Sequence, residues 1–286
     1  MALTFSRPEA DIFIPDDTPL PQALGRTTHL CIGAHQDDQE FMAYHGIAAC
    51  FGAPDRWFTG VTVTDGGGSA RSGPYARFSD DDMKAVRRGE QRKAALTGEY
   101  ACQIQLAYPS ADIKRPDADA LRRDLTAILE AAGPEIVYLH NPADKHDTHV
   151  AVTLHALAAL RALPAASRPK TVYGCEIWRG LDWLCDADKQ VLDVSPHPNL
   201  AAALSGVFDS QITGGKRYDQ AVIGRRMANA TFFESHAVDA STALNWAMDL
   251  TPLVADPTLD VTDFTCAYID RLRDDVTQRI RQYERS

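Results

Sequence analysis

The strongest constraint on the fold is a repeated alternation between short apolar segments and longer amphipathic segments. Five short segments predict strands, because they are rich in apolar and β-branched residues: THLCIGA, WFTGVTVT, ACQIQLAY, EIVYLH and KTVYGCEIW. Between them, segments with helical periodicity predict helices: FMAYHGIAACF, DDMKAVRRGEQRKAALTG, DADALRRDLTAILEAAG and HVAVTLHALAALRAL. Strands that alternate with helices indicate parallel strands joined by helical crossovers. The chain therefore predicts an α/β fold, with a mostly parallel open sheet and helices on both faces.

The length of 286 residues suits one large α/β domain, and no segment has the composition of a linker. We therefore predict a single domain over residues 1–286. Residues 1–28 are rich in proline and acid and predict an arm on the surface. From about residue 180 to 286 the pattern is less regular, with C-terminal additions and two helical stretches near 216–231 and 265–283.

The composition limits the partners that the protein can have. A formal net charge of -10 argues against binding to nucleic acid or to anionic membranes. No stretch has the roughly 20 apolar residues of a membrane helix, and the first residues lack the pattern of a secretory signal. The six cysteines are scattered without a CxxC pair, which predicts free thiols in a reducing, cytoplasmic environment. A homo-oligomer is compatible with the sequence.

Histidine and carboxylate residues follow the first and the fourth predicted strands. His35, Asp37 and Asp38 lie just after the first strand, and His146 and His149 belong to the segment HNPADKHDTH after the fourth. Ligands of open α/β sheets bind at the carboxyl ends of the strands, so the two clusters can converge on one ion. Imidazole and carboxylate ligands suit zinc, and three protein ligands leave a position for water.

Each cluster taken alone also has a simpler explanation. Asp38 precedes a predicted helix and can serve as its N-cap. His146 and His149 are three residues apart and can share one helix face. The glycine-rich segment TDGGGSARSG lacks the spacing of a phosphate-binding loop, so it is better explained as a mobile wall of the pocket.

Several segments resemble the LmbE-like, PIG-L-type zinc-dependent de-N-acetylases. AHQDDQE resembles the AHPDDE signature of that family, and DKHDTH at 144–149 resembles its later histidine motif. TDGG at 64–67 and RRGEQRKAALTG at 87–98 also resemble family segments. The resemblance covers roughly residues 28–160 and implies a Rossmann-like fold, in agreement with the alternation of strands and helices.

The resemblance also implies roles for individual residues. It implies that His35, Asp38 and His149 bind Zn²⁺ or another divalent metal. Asp37 is then the general base, and His146 stabilises the oxyanion. Arg87, in the R-x-x-E pattern, is expected to contact the substrate, although an exposed ion pair between Arg87 and Glu90 is an equally simple explanation.

The sequence departs from the family pattern in three places. Gln36 replaces the usual proline, and Gln39 stands where the signature often has glutamate, although Glu40 follows. Thr148 precedes the final histidine, where the family usually has the aspartate that orients the catalytic histidine. Asp144 or Asp147 is left as the candidate for that orienting role.

The resemblance implies an enzyme that hydrolyses an N-acetyl or other N-acyl group on a small amino sugar or sugar conjugate. Two alternatives stay open: a metal-dependent hydrolase of another ester or phosphoester bond, and a non-catalytic carbohydrate-binding module. Four residues beyond the resemblance are equally compatible with a sugar pocket and with core or surface positions: Glu176, Trp178, Glu234 and His236. The substrate itself is not determined by the sequence.

Overall fold

A computed structural model describes residues 3–284, and its central feature is one eight-stranded sheet with the order β1-β4-β3-β2-β5-β6-β8-β7. The strands are β1 (Asp11–Phe13), β2 (His29–Gly33), β3 (Phe58–Thr64), β4 (Cys102–Tyr108), β5 (Ile136–His140), β6 (Thr171–Cys175), β7 (Lys189–Asp193) and β8 (Leu244–Asp249).

The five strands predicted from the sequence form the centre of this sheet. β4, β3, β2, β5 and β6 are neighbours in that order, and each adjacent pair is parallel. The residues of β2, β3 and β4 are all buried. This burial is typical of strands covered by helices on both sides and explains their continuous apolar character. The predicted mostly parallel α/β fold is confirmed.

Three further strands extend the sheet at its edges and are all antiparallel to their neighbours. β1 pairs with β4, and β8 pairs with both β6 and β7. β1 lies within the segment that we expected to be a surface arm. That segment also contains the helix Leu20–Gly25, which buries Ala23 and Leu24. Within this segment, β1 is therefore an edge strand of the sheet, and Ala23 and Leu24 belong to the core.

The helices of the structure largely follow the predicted segments. They are α1 (Leu20–Gly25), α2 (Asp38–Met42), α3 (Tyr44–Cys50), α4 (Asp80–Thr97), α5 (Ser110–Ile113), α6 (Asp119–Ala132), α7 (Asp147–Ala162), α8 (Pro198–Gly206), α9 (Asp209–Ile212), α10 (Tyr218–Phe232), α11 (Thr251–Ala255) and α12 (Val261–Glu284). The segment FMAYHGIAACF, predicted as one helix, is divided between α2 and α3 at Ala43, whose φ of -111° and ψ of 19° interrupt the helix.

Two hydrophobic clusters cover the two faces of the sheet. Leu30 and Ile32 of β2 belong to one cluster, which also contains apolar residues of α6 and α7. Cys31 belongs to the other cluster, together with residues of α3, α4 and α8. Successive side chains of a strand point to opposite faces, so β2 joins both halves of the core. The arrangement is a sheet with helices on both faces.

The strand order places a crevice at the end of β2. The chain proceeds from β2 to β3 and β4 on one side, and then returns to β5 on the other side of β2. Such a reversal of strand order separates the loops that follow the two neighbouring strands and opens a binding crevice between them. None of the helices described in residues 3–284 combines the length and the hydropathy of a membrane span.

Candidate active site

A tight turn after β2 brings His35 and Asp38 together at the crevice. β2 ends at Gly33, where an added Cβ would lie 3.2 Å from the Cβ of Asp38. The absence of a side chain at Gly33 therefore lets the first turn of α2 lie close to the end of the strand. Within this turn, the backbone N–H of His35 donates a hydrogen bond of 2.6 Å to Asp38 Oδ2.

Three potential ligand atoms form a nearly equilateral triangle at this edge of the sheet. His35 Nδ1 lies 3.2 Å from His149 Nε2 and 3.3 Å from Asp38 Oδ2. The third side, between His149 Nε2 and Asp38 Oδ2, is 3.5 Å. Ligand atoms of tetrahedral zinc lie about 3.3 Å apart, as bond lengths of about 2.0–2.1 Å require. These three residues therefore fit a divalent metal in both chemistry and spacing.

Asp144 orients one of these three side chains. The Nδ1 atom of His149 lies 3.0 Å from Asp144 Oδ2. Asp144 is held in place in turn, because its Oδ1 accepts the backbone N–H groups of Lys145 and Arg179. A carboxylate bound to Nδ1 fixes the tautomer in which Nε2 carries the free lone pair, as is common for histidines that bind zinc. Asp144 thus orients His149, whereas the sequence left it as a candidate partner of the catalytic histidine.

His140 is a buried neighbour of the triangle that the sequence analysis gave no role. Its ring stacks on that of His149 with centroids 3.9 Å apart. Its Nε2 lies 3.5 Å from Asp38 Oδ2, but it also accepts the backbone N–H of Ala34 at 3.0 Å. Burial lowers the pKa of His140 well below its usual value. Because its Nε2 accepts the Ala34 N–H, His140 packs behind the triangle, although Asp38, His140 and His149 are also close enough to form a second candidate metal group. In the sequence, His140 is the first residue of the cluster HNPADKHDTH.

Asp37 has an unusual backbone conformation and a close cationic partner. Its φ is 89°, a region that non-glycine residues rarely adopt and that is frequent at functional sites. Its Oδ2 lies 3.4 Å from both Nη1 and Nη2 of Arg87, which is buried. Burial raises the pKa of the Asp37 carboxyl well above its usual range, although Arg87 opposes the rise.

His146 lies beside the triangle and is held by aromatic contacts. Its ring centroid is 4.5 Å from that of His149, 4.9 Å from that of His35 and 5.9 Å from that of Trp178. Burial, with a smaller effect from His149, lowers the pKa of His146 to about 4. A neutral ring at this position has one N–H to donate into the pocket. Asp147, the other candidate partner, is exposed.

The segment that contains these site residues matches the model of a known protein family. Residues 30–160 match the model of the PIG-L family, described as GlcNAc-PI de-N-acetylase. This segment, somewhat less than half of the chain, is thus similar to the PIG-L family. The match confirms the resemblance recognised in the sequence. No curated protein matches the sequence at a significant level.

Several solved structures share the fold of this chain. The N,N'-diacetylchitobiose deacetylase of Pyrococcus horikoshii is 18% identical, with 77% of this chain and 83% of that chain covered and a TM-score of 0.59. The deacetylase Dbv21, which acts on the A40926 pseudoaglycone, is 16% identical, covers 78% and 97%, and has a TM-score of 0.54. GalB of Pseudomonas putida, a 4-carboxy-2-hydroxymuconate hydratase, is 18% identical, covers 78% and 96%, and has a TM-score of 0.61. At these identities, the likeness establishes the fold alone.

The segment that matches the PIG-L model and the C-terminal part together line a pocket of about 670 Å³. Asp37, Asp38 and His35 line it, and so does the glycine-rich loop after β3. Glu176 and Trp178 also line it, whereas Glu234 and His236 are exposed and are not among its lining residues. Tyr218 of α10 lies opposite Trp178, with ring centroids 6.1 Å apart.

The departures from the PIG-L signature are accommodated by a buried polar layer beneath α2. Gln36 donates to the Thr64 carbonyl oxygen at 3.2 Å, and Gln39 donates to Thr62 Oγ1 at 2.6 Å. Glu40 is buried away from the pocket and accepts hydrogen bonds from Tyr100 and Gln91. These residues therefore hold the turn from beneath.

Arg87 and Glu90 are not the exposed ion pair that the sequence allowed, because both side chains are buried. Arg87 is 2% exposed, lines the pocket, and donates to the Gln36 carbonyl oxygen as well as to Asp37. Glu90 accepts its hydrogen bonds from Ser210. Arg88 reaches the Glu9 carbonyl oxygen at the surface. The position of Arg87 allows contact with a bound molecule, and its role towards the substrate stays a prediction.

Proposed function

We propose that this chain is a zinc-dependent enzyme that removes an N-acetyl or other N-acyl group from a small amino sugar or sugar conjugate. The observation that carries the proposal is the triangle of His35, Asp38 and His149, with its tetrahedral spacing. The match of residues 30–160 to the GlcNAc-PI de-N-acetylase family supports the amide bond as the target. The six unpaired cysteines support a reducing, cytoplasmic location.

The bound metal would supply a Lewis acid for the amide carbonyl and lower the pKa of water in the site. Within the chain, Asp37 is our candidate for the general base, because it lines the pocket beside the triangle but is not one of its three residues. Its carboxylate would accept a proton from the attacking water and deliver it to the leaving amine. Arg87 holds this carboxylate by two N–H groups.

His146 is our candidate for stabilising the tetrahedral oxyanion. Its ring lies within 5 Å of the rings of His35 and His149, with centroid distances of 4.9 and 4.5 Å, and it lines the pocket. A donor that is already in place costs no reorganisation when charge develops on the substrate oxygen. The half-buried ring is fixed between His149 and Trp178, so it meets this requirement.

The metal assignment is tested with His35→Ala. We expect this variant to fold, because His35 is partly exposed, and to purify with little metal. Elemental analysis of the wild type should show about one zinc ion per chain. His155→Ala is a matched control, because His155 bonds to the Ile113 carbonyl on another part of the chain. Full metal occupancy in His35→Ala would contradict the assignment.

The general-base assignment is tested with Asp37→Asn. We expect the metal content to be retained and turnover to fall about 10²- to 10⁴-fold, the usual contribution of a positioned general base. The measurements are metal content and release of free amine from N-acetylglucosamine conjugates. Parallel loss of metal and activity would instead make Asp37 a ligand.

The same assay separates the proposed function from its alternatives. Amine release by the wild type supports a de-N-acylase. Metal binding with cleavage only of ester or phosphoester substrates would favour a different hydrolase. Metal and sugar binding without turnover of any of these substrates would favour a binding module, and either result would overturn the proposal.

A further inference from the structure

Three lysine side chains line the pocket without a carboxylate partner. They are Lys114, Lys145 and Lys216. The ion pairs found within residues 3–284 include none of the three. The chain as a whole carries a net charge of -10. The pocket thus carries positive charge without a carboxylate partner, although the chain as a whole is acidic.

Two of these cations converge on one aromatic ring. The Nζ atom of Lys145 lies 6.0 Å from the centre of the Trp178 ring, and that of Lys216 lies 5.4 Å from it. Lys145 comes from the loop after β5, and Lys216 from the segment before α10. The tertiary fold thus brings together two ammonium groups from distant parts of the chain. The electron-rich face of an indole attracts cations, but the two ammonium groups repel each other.

The acidic groups of the pocket do not neutralise these cations, because each has other partners. Asp37 is bound by Arg87, and Asp38 lies among the histidines. Glu176 accepts hydrogen bonds from Asn229 and from the backbone N–H of Trp246. The unpaired positive charge of Lys145 and Lys216 is thus available to a ligand.

We propose that the pocket selects N-acyl substrates that carry an anionic group, a carboxylate or a phosphate, close to the amide. This inference rests on the proposed function and names its substrate class. The Trp178 ring lies 5.9 Å from the ring of His146, our candidate for contacting the reacting oxygen. The anion bound by Lys145 and Lys216 therefore belongs to the same small unit as the scissile amide, or is attached directly to it.

The first test measures binding of three reaction products by calorimetry: glucosamine, glucosamine 6-phosphate and muramic acid. We expect at least one of the two anionic amines to bind about three- to tenfold more tightly than glucosamine, as a few partly exposed charge pairs allow. The preference should fall as salt is added. The phosphate and carboxylate compounds show which anion the site accepts. Equal affinity for all three compounds would overturn the inference.

The second test identifies the residues. In the double variant Lys145→Gln and Lys216→Gln, the anionic preference should disappear. Glucosamine, which is mostly an ammonium ion at neutral pH, should bind no more weakly than it does to the wild type, because two repelling charges are removed. Lys170→Gln is the matched control, because Lys170 is an exposed lysine that pairs with Glu135 away from the pocket. A preference that survives in the double variant would contradict the assignment to these lysines.

Turnover of the corresponding N-acetyl compounds separates failure of this inference from failure of the proposed function. If the wild type releases amine from anionic and neutral compounds with equal kcat/KM, the inference fails while the proposed function stands. If it hydrolyses no N-acyl compound, the proposed function fails, and with it the substrate class named here. The binding test then still decides whether Lys145 and Lys216 form an anion site. In an active enzyme, the double variant should raise KM for the anionic substrate with little change in kcat.

Discussion

At the scale of single residues, neighbouring positions in the turn after β2 have different tasks because their side chains meet different partners. Asp38 faces three histidines, which outweigh the effect of burial and lower the pKa of its carboxyl. Asp37 faces Arg87, and its backbone adopts a φ of 89°. The irregular turn lets adjacent aspartates point in different directions, so one can belong to the metal triangle while the other is available for proton transfer.

The role of Arg87 gives a prediction at this scale. We expect Arg87→Lys to lower kcat/KM about tenfold or more, because a lysine cannot present two N–H groups to Asp37 and a small displacement of the base is costly. Metal content should be unchanged. Arg88→Lys is the control, since Arg88 reaches only a carbonyl oxygen at the surface. Similar, near-wild-type kinetics in both variants would remove Arg87 from the site.

At the scale of elements, the site depends on close packing between α2 and β3. An added Cβ at Gly60 of β3 would lie 1.9 Å from Oε1 of Gln39 and 2.3 Å from Oε1 of Gln103. Both glutamines are buried, and both donate to Thr62 Oγ1. A side chain at Gly60 would displace these bonds and lift α2, which carries Asp38, from the sheet.

We therefore predict that Gly60→Ala lowers the free energy of unfolding by about 1–3 kcal/mol, the usual cost of overpacking a buried site. Urea denaturation measures this change. Gly89→Ala is the control, because Gly89 lies within α4 and an added Cβ would have no neighbour within 4 Å. Alanine should raise stability there by up to about 1 kcal/mol. Unchanged stability of Gly60→Ala would contradict this prediction and show that the side chains of Gln39 and Gln103 can rearrange at little cost.

At the scale of the whole molecule, the proposed metal centre joins the two halves of the sheet. His35 and Asp38 follow β2, whereas His149 lies on α7 after β5. An ion that binds only the folded chain stabilises it by mass action, by about 2.7 kcal/mol at a concentration of 100 times Kd. Removal of the metal should therefore loosen the connection between these elements and lower the stability of the protein.

We predict that chelation of the metal lowers Tm by about 5–10 °C, a shift expected for a chain of this size. Addition of zinc should restore the original value. Thermal unfolding followed by circular dichroism provides the measurement. The His35→Ala variant serves as the control and should show little response to either treatment. A wild-type Tm that does not respond to chelator or zinc would contradict a metal that bridges these elements.

The sequence by itself determined the five central strands and the meeting of the two histidine clusters. Buried parallel strands have continuous apolar segments of recognisable length, and their carboxyl ends lie at one edge. The cluster after the first predicted strand and the cluster after the fourth were therefore expected to lie together. Only the tertiary structure decided the three antiparallel strands, the edge strands β1 and β7 and the strand β8 between β6 and β7. Their antiparallel partners are remote in sequence, and β1 has only three residues. The break at Ala43 was also invisible, because alanine favours a continuous helix.

The partners within the site were likewise decided by the tertiary structure. Asp144 bonds to His149, and Arg87 bonds to Asp37 across 50 positions of the chain. The placement of Lys145 and Lys216 over the Trp178 ring depends on three separate segments. A sequence pattern reports which residues share a strand end or a helix face, because those positions repeat at a fixed period. It does not report which side chains meet across the crevice, because those distances are set by how the helices pack on the sheet.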